Sequence, residues 1–261
     1  MHPSAPRGPS AVLLLLLSSL ACDVDSHQAE RVQVPIVVDG AGVVDFTNSE
    51  GYALHITTLR VAFDNVEFTS GGEMHASLLQ RLGELVVPTA YAHPGHYGGG
   101  EIVGEMNGRF VVDWLQDGKF LGDATMLEAD YRGANFVFTR AMPGDGVDAS
   151  DPIIGHTIEI AGEASKDGET WSFHALVDEE EGKRVVGLPM ELDLHADDEV
   201  ELGLQMVMED PYEDDTALDN LDFATLDDDG DFAIEIEPGQ PAYNLLVKQL
   251  QVHDHYDVTT R

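Results

Sequence analysis

Apolar and polar residues alternate along most of the chain from Val32 onward. Val32, Val34, Ile36 and Val38 form one alternating run, which Asp39-Gly40 stops. Alternation places every second side chain on one face, the signature of a half-buried strand. Tyr52, Leu54 and Ile56 continue it, followed by Leu59, Val61 and Phe63, and, after a break at Asp64-Asn65, by Val66 and Phe68. Between Ala76 and Val87 the period changes. Leu78, Leu79, Leu82, Leu85 and Val86 fit one face of a short helix that Pro88 closes. A meander is expected next, with Asn107-Gly108 and Asp117-Gly118 as hairpin turns and strands over 110–115, 120–127 and 135–140. Segments 153–162 and 170–177 read as a hairpin around Asp167-Gly168, and 185–194 with 199–208 as a further pair. The acidic stretch 209–231 reads as a loop with one helical turn. Pro241 opens a helix that carries Tyr243, Leu246, Val247 and Leu250 on one face. The chain closes on an alternating strand over 251–259.

This pattern predicts a mainly β fold: an antiparallel β-sandwich or open barrel with two or three short helices. The domain is expected over residues 32–261. If it has two lobes, the break falls in the Gly/Asp/Pro-rich segment 141–152. The 261-residue length is enough for a large core.

Charge narrows the function. There are 13 Lys plus Arg against 49 Asp plus Glu, a formal net charge of −36. Such a field repels polyanions, so nucleic acid is excluded as a partner, and anionic headgroups are unfavourable surfaces. With 43% hydrophobic residues the chain can still build a core.

The N-terminus carries its own message. Arg7 precedes the apolar run Ala11–Leu17, which is too short to span a bilayer, and Ser18-Ser19-Leu20-Ala21 leads to Cys22, the sole cysteine. This order resembles the bacterial lipoprotein signal. The resemblance implies that residues 1–21 are removed, that the Cys22 thiol is diacylglyceryl-modified, and that residues 22–31 tether an exported domain to a membrane, in the periplasm or on the cell surface. Ser19-Leu20-Ala21 also suits an ordinary signal peptidase cutting the same bond. A single cysteine permits no disulfide within the chain.

Histidines are the sharpest candidates for chemistry. His93-Pro94-Gly95-His96 sits in a loop ending in three glycines, so two imidazoles can converge. His253 and His255 lie on the expected last strand, where residues two apart share a face roughly 6.6–7 Å apart. Together the two pairs could hold copper or zinc, since nitrogen ligands without thiolates favour those ions. His55 and His195 are weaker candidates, and His156 and His174 lie in segments that could be neighbouring strands.

Calcium is the alternative. Asp227, Asp229 and Asp231 flank a turn-permitting Gly230. This is not an EF-hand, because with Gly230 at the turn position the first and last ligand positions fall on Thr225 and Ile236. No G-x-S-x-G, H-E-x-x-H or phosphate-loop motif occurs. The reading is a non-catalytic, membrane-anchored envelope lipoprotein that binds a transition metal. The alternative is a surface or adhesion module with no metal site, or with a structural calcium. The expected partner is a metal ion or an envelope protein.

Overall fold

A computed structural model describes residues 30–70, 100–210 and 215–261. Cys22, the signal segment, the expected helix at 76–87 and the His93/His96 loop lie outside the described residues.

The fold is mainly β. Its strands are β1 (Arg31–Asp39), β2 (Phe46–Thr47), β3 (Ala53–Ser70), β4 (Glu101–Asp113), β5 (Phe120–Leu127), β6 (Ala129–Phe138), β7 (Ile158–Lys166), β8 (Glu169–Val177), β9 (Arg184–Leu194), β10 (Leu202–Met206), β11 (Ala233–Ile236) and β12 (Tyr256–Thr260). Two helices are described, α1 (Phe223–Leu226) and α2 (Pro241–Leu250), with a 3₁₀ turn at His253–His255.

All the described strands join one 12-stranded sheet: eleven run in the order β11-β8-β7-β3-β4-β5-β1-β10-β12-β9-β6, and β2 pairs with β3 off this path. It is not the expected antiparallel sandwich. β1 runs parallel to β10, β11 to β8, and β12 to β9. Nor is it a barrel, although β6 returns to pair with β3 and the pairings close a ring. That ring is uneven: β12 meets β9 at the single register pair Val258↔Met190, and β4 meets β5 over two pairs. Alternation specifies which face a residue takes but not which strand lies beside it or in which direction. For the same reason 184–194 and 202–206 are strands but not partners. β10 pairs with β1 and β12, while β9 pairs with β6 and β12.

β3 organises the sheet. One edge pairs with β7 over its first half and β6 over its second, and the other edge pairs with β4. Bulges between Ile56 and Thr58 and between Asp64 and Val66 each reset its phase by one residue. The interior set is therefore Leu54 and Ile56, then Leu59, Val61 and Phe63, then Val66 and Phe68, all buried. Opposite the second bulge sits Asn107-Gly108. This is no hairpin turn: Gly108 has φ of 128° within β4, and its amide donates to Asn65 Oδ1 at 3.0 Å. Asp117-Gly118 does turn the chain, between β4 and β5, and Asp167-Gly168 turns it between β7 and β8 with both residues at positive φ.

Two aromatic groups fill the interior. Phe63, Phe136 and Tyr256 pack closely, with centroids 4.1 Å apart for the tilted pair Phe63–Phe136 and 4.9 Å for the edge-to-face pair Phe136–Tyr256, and Trp114 packs beside them. Burying each such ring contributes about 1.5–3 kcal/mol. The second group is Tyr52, Trp171, Phe173 and Phe223, which seats α1 on β8. Segment 141–152 is a surface loop. It is tied to β4 by the Val111 amide on Asp145 O at 2.8 Å, and Ala141 and Ile153 pack on Ala62 and Val111. Among the described residues, no helix is long and apolar enough to cross a membrane.

Candidate metal centre

The acidic segment before β11 folds around Asp227. α1 opens at Asp222, whose carboxylate accepts from the Thr225 amide and from the Tyr52 hydroxyl, the latter at 2.6 Å. One turn later the helix ends and the chain wraps the Asp227 side chain. Asp227 Oδ1 accepts from the amides of Gly230 (2.9 Å) and Asp231 (3.2 Å). Its Oδ2 accepts from the Phe232 amide (3.3 Å) and the Trp171 indole N–H (3.1 Å). Gly230 has φ of 76°, a left-handed conformation that suits glycine. The Asp231 carboxylate caps the Ala233 amide at 2.9 Å and starts β11.

The consequence is a convergence of acids. Asp227, Asp229 and Asp231 each present a carboxylate oxygen, all within 4.8 Å of one another. Oxygens that share one calcium ion at its roughly 2.4 Å bond length lie no farther apart than about twice that distance. Without a cation, each pair of charges at such spacing repels by about 1 kcal/mol in water. Asp229 and Asp231 are exposed and Asp227 is half-buried, so an ion could reach all three and complete its shell with water. Among the described residues this is the one group of three or more His, Cys, Asp or Glu side chains close enough to share an ion.

The histidines behave differently. His253 and His255 are not on a strand. They occupy the 3₁₀ turn before β12, where residues two apart point about 120° away from each other. His255 is buried, with Nδ1 3.0 Å from the Val207 carbonyl, and His253 lies 3.1 Å from the Asp254 carboxylate. The shared-face argument for this pair therefore does not hold. His55 is exposed on β3 with Nδ1 2.7 Å from Asp45, whose hydrogen bond raises the imidazole above its ordinary pKa. His195 follows β9, exposed, 3.5 Å from Asp193. His156 precedes β7 and meets Asp178 at 3.0 Å. His174 lies on β8 between Glu159 and Glu235, an arrangement that its sequence neighbours do not signal.

A surface groove of about 370 Å³ opens where the 141–152 loop faces the β4–β5 turn, lined by Arg60, Asp113, Gln116, Lys119, Asp148 and Asp151 among others. Arg60 is already committed to Asp151 and Glu159.

Among known proteins the chain is similar to a geranylgeranylglyceryl phosphate synthase of Hyperthermus butylicus, at 25% identity over 183 residues, 61% of this chain and 73% of that one. That level of identity does not carry an activity or a family across. No family model matches the chain, and no solved structure matches it.

Proposed function

We propose that this protein is a non-catalytic, lipid-tethered surface module of the cell envelope that takes one calcium ion at the Asp227–Asp231 loop. The observation that carries the reading is the convergence of three carboxylate oxygens within 4.8 Å around Gly230. Cys22 supplies the tether, and the acidic surface suits an exported domain surrounded by salt. The ion is structural in this reading. It offsets two of the loop's negative charges and fixes the chain between α1 and β11, where Trp171 and Phe223 anchor it to the sheet.

The test is calorimetric titration of calcium into the chelator-treated chain from Asp23 to Arg261, with tryptophan fluorescence as a second readout because the Trp171 indole bonds Asp227. The expected dissociation constant is roughly 0.1–1 mM, the range of extracellular calcium modules. The double variant Asp229→Asn/Asp231→Asn should lose binding, while Asp228→Asn should keep it. No heat and no fluorescence change up to about 10 mM calcium, tenfold above that range, would remove the reading. The same chain is loaded with copper and zinc. Stoichiometric retention that is lost in His253→Ala/His255→Ala would move the function to the histidines instead.

A further inference from the structure

A chain of polar side chains crosses four neighbouring strands on the outer face of the sheet. It starts in the 141–157 loop at Asp151, whose Oδ2 accepts from Arg60 on β3 at 2.7 Å. The Arg60 guanidinium grips Glu159 Oε2 on β7, its register partner, with Nε at 2.8 Å and a second nitrogen alongside. The other oxygen of Glu159, Oε1, lies 3.3 Å from His174 Nε2 on β8. His174 Nδ1 in turn lies 2.9 Å from Glu235 Oε2 on β11, again a register partner.

The middle of this ladder sets a chemical requirement. Both ring nitrogens of His174 face carboxylate oxygens, and ionised carboxylates only accept hydrogen bonds. A neutral imidazole has one N–H to give; an imidazolium has two. The ladder is complete only with the proton on. Once it is lost, a nitrogen lone pair faces a carboxylate and one of the two links must break. Glu159 is buried and fixed by Arg60, whereas Glu235 is exposed on a four-residue strand at the end of the sheet order.

We propose that His174 is a proton-operated clasp that docks the outer side of edge strand β11 onto β8 and β7 and loosens it when the imidazole is neutral. Other ionisable groups nearby do not substitute for it. On β7, Glu163 faces its register partner His55, which is closed on Asp45. On the opposite side, α2 offers Tyr243, bonded to the Asp178 amide, and the exposed Lys248. At the ends of β11, Asp231 caps the Ala233 amide and Glu237 lies exposed beyond the strand. Burial pushes the imidazole pKa down, but the hydrogen bonds the ring donates to Glu235 and Glu159 outweigh it, and His174 sits above the ordinary histidine value. The link is therefore full at mildly acidic pH and lost as pH rises through that raised value.

The experiment is an NMR titration of the His174 ring in the chain from Asp23 to Arg261, with amide exchange of Ile234–Ile236 followed at each pH. His174→Gln identifies the ring signal. The expected midpoint lies above about 6.5, the ordinary histidine value, and falls in Glu235→Gln. The protection of the β11 amides, relative to Glu235→Gln at the same pH, should drop about two- to fivefold as His174 deprotonates, the scale of one partly exposed charged contact. A midpoint at or below about 6.5, or β11 protection that ignores the His174 transition, overturns the proposal. Glu235→Gln keeps Glu159 and its Arg60 contact, so the test survives even if His174→Gln folds poorly.

Discussion

Replacing Asn48 by Asp is the most revealing single change in this fold. Asn48 follows β2 and is only 4% exposed. Its side-chain amide donates twice across more than 160 residues of sequence, to Leu218 O at 3.1 Å and Leu221 O at 3.0 Å. Its carbonyl accepts the Tyr52 amide at 3.0 Å. This side chain is the buried part of the tie between the 216–222 segment and the turn before β3, which Ser49 with Asp219 and Asn220, and Tyr52 with Asp222, complete nearer the surface. Asp has the same shape but no N–H. It keeps the bond from Tyr52 and leaves two buried carbonyls unpartnered, at about 1–3 kcal/mol each. The sum, about 2–6 kcal/mol, is a large part of a typical stability of about 5–15 kcal/mol. An ionised carboxylate facing two carbonyl oxygens adds to the loss, so Asn48→Asp should be at least as damaging as Asn48→Ala at neutral pH. The carboxyl would titrate above its unfolded value of about 3.9, because burial and the facing carbonyls favour its protonated form. Stability should therefore recover on acidification, since the protonated acid regains one donor. The assay is urea unfolding followed by circular dichroism at pH 7 and pH 5, with slopes compared to confirm that the same surface is exposed. A free-energy difference at pH 7 below about 0.5 kcal/mol, the scale of an ordinary surface substitution, would refute the pinning role.

Two further outcomes are expected. All four described tyrosines titrate late: burial holds Tyr131 at about 12, Tyr256 well above the usual phenol range, and Tyr243 above it, and burial together with the Asp222 contact raises Tyr52. Their folded values exceed the unfolded value of about 10, so stability is intact below that pH and falls above it. Of the seven tyrosines, these four should ionise together with loss of the far-ultraviolet β signal, and more than three tyrosinates near pH 10 with the fold intact would contradict the burial assignments. Separately, Cys22→Ala in a bacterial host should move the protein from the membrane fraction to the soluble one; continued membrane association would end the lipid-tether reading.

What could be read in advance divides along physical lines. Interior positions were legible because alternation is a local property. The three apolar runs of β3 were visible as separate runs, and they are one strand whose bulges shift the phase. Asn107-Gly108 misled for a related reason: a dipeptide that tolerates positive φ serves a bulge as well as a turn, and only the opposing strand tells them apart. Strand partners and directions were not legible, because the parallel pairing of β1 with β10 depends on how some 160 intervening residues fold. The Asp227–Asp231 cluster could be found from sequence because its members lie within five residues and a glycine, so local geometry alone brings them together. The strand placement of His253 and His255 missed because alternation continues through a 3₁₀ turn that only the folded chain reveals. The His174 ladder could not be seen in advance for the opposite reason. Its members, Asp151, Arg60, Glu159, His174 and Glu235, come from four strands and a loop, and in a chain with 49 acidic residues almost any histidine can be imagined beside a carboxylate. What separates this histidine from the other described ones is having both ring nitrogens spoken for by acids on two different strands, a property of register that only the paired sheet contains.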